Sequence, residues 1–155
     1  MRRFFATNDS WVALAQRAVL AAVIFPHGAQ KLLGWYGGTG WNGTMQFFTN
    51  GLHVPAALAA LVILAESLGA LGLLFGAFTR LAAAGIAGSM LGAIALVHAG
   101  NGFFMNWFGA QPGEGFEYHL LALALAVPLV VTGAGRWSVD GVLKRAQALP
   151  AGMPA

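Results

Sequence analysis

Four apolar segments dominate the sequence, and each is close to the length that a helix needs to cross a bilayer. They cover about residues 11–33, 55–76, 80–99 and 116–133, against the ~20 residues that span the hydrocarbon core. Hydrophobic residues make up 58% of the chain and charged residues only 8%, whereas about a quarter of a soluble domain is charged. The sequence therefore predicts an all-α integral membrane protein, a four-helix transmembrane bundle that forms a single domain over residues 1–155.

The basic residues segregate to one side of this predicted bundle. Four spans put both termini on the same side, and most of the 8 basic residues fall on or near it. These are Arg2, Arg3, Arg17, Arg80, Arg136, Lys144 and Arg145, whereas Lys31 lies toward the other side. The positive-inside rule then predicts that both termini, including the tail of residues 134–155, are cytoplasmic. Because no small-x-small cleavage site follows the charged start, we expect the N-terminus to belong to the mature protein.

Charge and cysteine content exclude several classes of function. The net charge is +3, but basic residues scattered over helix ends make no patch for a nucleic acid, so we expect no nucleic-acid partner. The chain contains 0 cysteines, which excludes disulfides, dithiol redox chemistry and thiolate metal sites within it. Any redox role must therefore use a bound cofactor or another subunit.

Glycines recur at matching intervals in the second and third apolar segments. Folded about the turn at residues 77–79, the two segments place small residues opposite one another, which lets membrane helices approach closely. The predicted pairs are Gly72 with Gly85, Gly69 with Gly88, and Ala65 with Gly92. We expect this hairpin to be the tightest helix pair, with Ala83 facing lipid.

Glu66 is the most informative single residue because it lies near the middle of an apolar segment. A charged side chain at that depth costs about 2.5–3.5 kcal/mol on insertion scales, so it needs a partner or a polar cavity. His27, which follows Pro26 in the first segment, lies at a comparable depth. Burial disfavours the carboxylate and a neighbouring cation favours it, a combination suited to proton transfer. We predict that Glu66 and His27 face each other and form a catalytic, proton-handling core.

Further polar side chains lie toward the outer half of the predicted bundle. They are Gln30, Lys31, His98, Glu114, Glu117 and His119. Each also has an ordinary structural explanation: Lys31 can extend to the lipid headgroups, and Glu117 can complement the helix dipole. The histidines come from different segments without the paired spacing of a metal site, so the sequence predicts no metal site, and haem is not expected.

Several motifs in order resemble the DoxX family. They include I-F-x-H-G-x-x-K-L, A-E-S-L-G-A-L-G-L-L-F-G-x-F-T-R-L-A-A, V-H-x-x-N-G-F-F, F-E-Y-H-L-L and G-A-G-R-W-S-V-D, and the similarity covers about residues 13–145. The resemblance implies a four-helix protein of the bacterial inner (plasma) membrane, described as an oxidoreductase or a quinone-linked redox subunit. The family's recurring polar positions correspond here to Arg17, His27, Lys31, Glu66, Arg80 and Glu117.

Three functional hypotheses follow from the sequence and this resemblance. In the first, the chain is a subunit of a membrane redox system and binds a quinone near the outer mouth of the bundle. The residues predicted to contact the quinone are Gln30, Lys31, His98, Trp107, Glu117 and His119. In the second, Glu66 and His27 belong to a small solute or proton transporter. In the third, the chain is a non-catalytic partner that stabilises another membrane or peripheral enzyme.

Overall fold

The computed structural model describes residues 5–147, and every regular element in that range is helical. The α-helices are α1 (Trp11–Leu33), α2 (Gly40–Gln46), α3 (Ala56–Phe75), α4 (Thr79–Ala93), α5 (Glu117–Thr132) and α6 (Val139–Ala146). Short 3-10 turns cover Trp35–Gly37 and Ala99–Asn101, and π-helical turns cover Phe47–Gly51 and Ile94–His98. The all-α prediction is confirmed for the described part of the chain. Arg2, Arg3 and the tail beyond residue 147 lie outside it.

Three helices are long and apolar enough to cross a membrane. They are Trp11–Leu33, Ala56–Phe75 and the continuous helical run Thr79–Asn101. The fourth apolar helix, α5, has 16 residues, a length of about 24 Å at 1.5 Å per residue. That is shorter than the ~30 Å hydrocarbon core. The spanning role of α5 therefore stays a prediction.

The four long helices pack as a ring of neighbours around a hydrophobic core. α1 contacts α3 and α5, and α4 also contacts α3 and α5. The largest buried apolar side chains of the described residues come from all four: Leu20, Ile24, Ile63, Leu73, Ile86 and Leu129. Many other leucines and valines of these helices are exposed on the outer surface, as expected where lipid replaces water as the solvent.

Arg17 ties three parts of the chain together at one end of the helices. It is 2% exposed, and its guanidinium donates to the carbonyl oxygens of Leu73 and Leu74 at the end of α3 at 2.9 and 2.6 Å. It also donates to three carbonyl oxygens of the segment after α5, those of Ala134, Arg136 and Trp137. Cations stabilise the carbonyl end of a helix, so Arg17 caps α3 while fixing the chain beyond α5. We call this end of the helices the Arg17 end and the opposite one the Lys31 end.

The N-terminal segment and α6 meet at the Arg17 end. The Thr7 hydroxyl accepts from the backbone N–H of Gly135 at 2.7 Å, and Lys144 donates to the carbonyl oxygen of Thr7 at 2.8 Å. Arg136 lies 2.7 Å from the carboxylate of Asp9. Both ends of the described chain therefore lie on the same side of the helices. Whether that side is cytoplasmic stays a prediction.

Asp140 links α6 to the start of α4. Its carboxylate accepts from the backbone N–H groups of Phe78 and Thr79 at 2.8 and 2.9 Å, and it is 2% exposed. These N–H groups lie at the N-terminus of α4, where a carboxylate is favoured. The N-terminus of α6 itself is capped by Ser138, whose hydroxyl accepts from the backbone N–H of Gly141 at 3.1 Å.

The predicted glycine register between α3 and α4 is wrong. Gly72 approaches Ala77 and Ala82, Gly69 approaches Ala82, and Gly85 approaches Ala65. A Cβ built on Gly88 or Gly92 would meet no atom of the described chain within 4 Å. Ala83, expected to face lipid, is 0% exposed. The helices are close near the turn and separate beyond Gly85, because α4 directs its alanine and isoleucine face, rather than its glycine stripe, toward the core.

Candidate functional site

The closest helix contact is formed by α1 and α3, where Gly28 meets Glu66 and Ser67. A Cβ atom at Gly28 would overlap the carbonyl oxygen of Glu66 and lie 2.7 Å from the Cα of Ser67. The Ser67 hydroxyl lies 3.1 Å from the carbonyl oxygen of Gly28, to which it donates. Only glycine permits such an approach of two membrane helices. α1 is therefore held against α3 at the level of Glu66.

Lys31 follows Gly28 by one turn and pairs with Glu66. Lys31 Nζ lies 2.6 Å from Glu66 Oε2, and the two side chains are 27% and 5% exposed. Side chains on a helix lean toward its N-terminus, so Lys31 reaches back to the level of the Gly28 contact. The alternative that Lys31 only extends to the headgroups is wrong. His27, predicted to face Glu66, lines the same cavity as Glu66. The charged partner of Glu66 is Lys31.

A cavity of about 930 Å³ opens beside this ion pair, within the range of about 300–1,000 Å³ typical of small-molecule sites. Titratable side chains of α1, α3, α5 and the π-helical turn after α4 line its polar end: His27, Lys31, Glu66, His98, Tyr118 and His119. The rest of the wall is largely apolar and follows the gap between α3 and α4. The cavity is therefore amphipathic, with its charged end toward the Lys31 end of the helices.

Three of the histidines and one tyrosine form a row of neighbouring rings. The ring centroids of His98 and His119 are 4.2 Å apart, those of His119 and Tyr118 are 5.3 Å apart, and those of Tyr118 and His27 are 5.8 Å apart. His98 Nδ1 lies 2.8 Å from the carbonyl oxygen of Glu114. The row connects the loop that precedes α5 with the part of the cavity next to Glu66.

Two members of this row carry buried polar atoms that lack a partner. Within residues 5–147, neither the Tyr118 hydroxyl nor His119 Nδ1 has a hydrogen-bond partner. Leaving such a group unsatisfied costs about 1–3 kcal/mol, and such atoms often mark functional positions. Sequence reasoning included His119 but missed Tyr118. The position of Tyr118 between Glu117 and His119, at the start of an apolar segment, could have indicated that it belongs to the same polar cluster.

Three of the predicted ligand-binding residues do not line this cavity in the described structure: Gln30, Trp107 and Glu117. The Gln30 amide donates to the carbonyl oxygen of Tyr36 at 3.2 Å. The Glu117 carboxylate accepts from the backbone N–H of Met105 at 3.2 Å and from the indole of Trp107 at 3.3 Å. Glu117 thus holds the loop whose Met105 reaches the cavity wall, and Trp107 is 78% exposed. A ligand-binding role for these three residues stays a prediction.

The histidines and carboxylates do not converge on a metal-ion geometry. Among residues 5–147, no group of three or more histidine, aspartate or glutamate side chains is arranged to hold a metal ion. The site is instead an ion pair, an aromatic and imidazole row and an apolar groove. The side chains that line this cavity can donate hydrogen bonds to the polar head of a ligand, exchange protons with that head and contact an apolar tail.

These features define an all-helical membrane protein whose apolar helices border a cavity with a charged, histidine-rich end. The chain belongs to the DoxX family, whose model matches residues 12–99. It is similar to Inner membrane protein YqjF of Escherichia coli (strain K12), with 33% identity over 112 residues, which are 72% of this chain and 81% of that protein. No solved structure matches the chain.

The comparisons confirm the resemblance seen in the sequence. The protein is a multi-pass protein of the bacterial inner membrane and contacts the lipid bilayer. The matched region covers α1 from its second residue, α3, α4 and the π-helical turn Ile94–His98. It therefore includes His27, Lys31, Glu66 and His98. Membership of a family does not define the chemistry of the site.

Proposed function

We propose that the chain is a quinone-binding subunit of a membrane redox system, with the quinone ring held at the polar end of the cavity. The observation that carries this proposal is the continuity of the Lys31–Glu66 ion pair, the histidines and an apolar groove in one cavity. A quinone has the same polarity, with two carbonyl oxygens on a ring and an apolar tail. A fully polar, water-soluble substrate would make no favourable contact with the apolar groove.

The side chains present fit such a ring. The carbonyl oxygens of a quinone need donors, and Lys31, Tyr118 and the imidazoles of His27 and His119 are donors or can become donors. The unpartnered atoms of Tyr118 and His119 support the assignment, because a ligand that bonds to them recovers the cost of burying them.

A bound quinone accepts two electrons and two protons to become a quinol. The residues of this chain would hold the ring and exchange protons, with Glu66 and the row from His98 to His27 as the proton-handling groups. The chain has 0 cysteines, so no dithiol or thiolate-bound iron–sulfur centre within it supplies the electrons. The proposal therefore includes a separate redox protein as the electron donor or acceptor.

The proposal includes four spanning helices with both termini in the cytoplasm. Five cations lie at or near the Arg17 end of the described chain: Arg17, Arg80, Arg136, Lys144 and Arg145. The positive-inside rule favours the cytoplasm for that end. The polar end of the cavity then faces the outer half of the membrane.

The test is equilibrium binding of short-tailed ubiquinone and menaquinone analogues to the full chain in nanodiscs. The two tyrosines of the sequence supply a matched pair, because Tyr118 lines the cavity and Tyr36 is 65% exposed. Tyr118→Phe removes an unpartnered hydroxyl and should leave stability unchanged while weakening quinone binding about three- to tenfold, the value of one hydrogen bond. Tyr36→Phe should change neither quantity.

Two outcomes would contradict the proposal. Saturable binding that Tyr118→Phe and His119→Phe both leave unchanged would separate the quinone from this cavity. If no quinone analogue binds, liposome assays decide between the alternatives: substrate-dependent or proton flux supports a transporter. The absence of both binding and flux, with a stably co-purifying enzyme, supports a non-catalytic partner.

A further inference from the structure

The gap between α3 and α4 widens along its length. Near the turn, a Cβ on Gly72 would lie 3.6 Å from the Cβ of Ala82, and one on Gly85 would lie 3.1 Å from the Cβ of Ala65. Farther along, Gly88 and Gly92 face open space, with no described atom within 4 Å of an added Cβ. The two helices therefore border a groove that begins where their contact ends.

This groove is the apolar part of the cavity. Leucines of both helices line it: Leu61, Leu64 and Leu68 from α3, and Leu81 and Leu96 from the α4 side. Leu61, Leu68 and Leu81 are also between 57% and 61% exposed on the outer surface of the helices. The groove is consequently open sideways, toward the space that lipid occupies. Beyond the contact at Gly85 it extends to Leu96, about 16 Å along the helix at 1.5 Å per residue.

Polar atoms inside this cavity distinguish it from an ordinary lipid-facing crevice. Ser89, next to Gly88, is 5% exposed and lines the cavity, and so does His119, which is 6% exposed. The Ser89 hydroxyl and His119 Nδ1 are both buried without a hydrogen-bond partner among the described residues. A hydrocarbon tail, whether acyl or isoprenoid, satisfies neither atom, whereas a ligand with a polar head at the charged end of the groove can satisfy His119.

We propose that the groove between α3 and α4 is the sideways entrance and the tail channel of a long-tailed isoprenoid quinone. This inference rests on the proposed function and specifies its ligand class: a long isoprenoid tail is selected, and the molecule arrives from the bilayer rather than from water. Gly88 and Gly92 keep the channel open. In lipid the tail gains little from dehydration, so selectivity comes from packing in a channel of matching shape.

The test compares two quinones with the same ring, one with a single isoprene unit and one with a long isoprenoid tail. Binding to the full chain in nanodiscs is measured with ligand concentration expressed per lipid, which removes the difference in partitioning. The unmodified chain should bind the long-tailed quinone about tenfold more tightly. Gly88→Leu fills the channel and should abolish this difference while leaving short-tail affinity within about twofold.

Ala84→Leu is the matched control because Ala84 is an exposed residue of the same helix that does not line the cavity in the described structure. It should keep the tail preference. If Gly88→Leu fails to give folded protein, Gly92→Leu makes the same test one turn farther along the groove.

Three results would overturn the inference. Equal affinity for the two tails in the unmodified chain would show that the groove holds no tail, and the proposed function would stand. Failure of both quinones to bind would remove the proposed function and the tail channel together. A phospholipid that native mass spectrometry finds on the unmodified chain and not on Gly88→Leu, without any preference for tail length, would assign the groove to a structural lipid.

Discussion

Replacing Lys31 by methionine leaves the carboxylate of Glu66 inside the helices without its positive partner. The pair is short, at 2.6 Å, and Glu66 is 5% exposed, but Lys31 is 27% exposed. Removing one partner from a fully buried pair costs about 3–5 kcal/mol, and partial exposure of Lys31 reduces the attraction through solvent screening. We therefore expect the free energy of unfolding to fall by about 2–3 kcal/mol in Lys31→Met.

A double-mutant cycle separates the ion pair from packing. Glu66→Gln keeps the shape and can still accept a hydrogen bond from Lys31, so it should cost about 1 kcal/mol. In Lys31→Met/Glu66→Gln no charge is left unpaired, and the double variant should be more stable than Lys31→Met alone. The expected coupling energy is about 1.5 kcal/mol.

The measurement is reversible unfolding in mixed detergent micelles by added denaturing detergent, followed by tryptophan fluorescence. Arg145→Gln, at an exposed position of the Arg17 end, is the control and should change stability by less than about 0.5 kcal/mol. If the Lys31 and Glu66 substitutions prove additive within about 0.5 kcal/mol, the two side chains do not interact in the folded protein and the site described here is wrong.

Three further predictions concern the fold. Gly28→Ala should lower the unfolding free energy by about 2–4 kcal/mol because its Cβ would overlap the backbone of Glu66, whereas Gly100→Ala, which has open space, should be near neutral in the same assay. Arg17→Lys should lower the free energy of unfolding by about 2–3 kcal/mol because a lysine cannot reach all five carbonyl oxygens that Arg17 contacts. An unchanged free energy of unfolding would refute the capping role of Arg17. A reporter fused to the C-terminus should be active if it is of a type that works in the cytoplasm and inactive if it is of a type that works only in the periplasm. The opposite pattern would contradict the predicted topology.

The polar cluster was partly predictable. Glu66 drew attention because a carboxylate in the middle of an apolar segment is costly, and His27 was included for its comparable depth. Lys31, His98 and His119 were included because they lie toward the same outer half of the predicted bundle. The partner of Glu66 could not be assigned, because helical spacing gives the face and depth of a residue but not the helix against which that face packs. Lys31 has a side chain long enough either to leave the membrane or to turn back, and the contact at Gly28 decides between the two.

The contacts of the glycines could not be predicted from their spacing in the sequence either. Mirrored intervals in α3 and α4 predicted their closest approach, but glycine permits close contact without requiring it. In the structure the close contact belongs to Gly28 of α1, and Gly88 and Gly92 border open space. A small residue leaves room for another backbone or for a ligand, and the sequence does not say which of them is present.

The sequence by itself determined the membrane class, the helical elements and the segregation of basic residues. These follow from local physics, since a run of apolar residues must satisfy its own backbone hydrogen bonds once it leaves water. Only the tertiary structure decided which helices touch, which cation pairs with Glu66 and where a cavity opens. Those features depend on packing between segments distant in the chain, and several arrangements share the same hydropathy. Side-chain shape selects among them: it holds α1 on α3 at Gly28 and leaves α3 and α4 apart beyond Gly85.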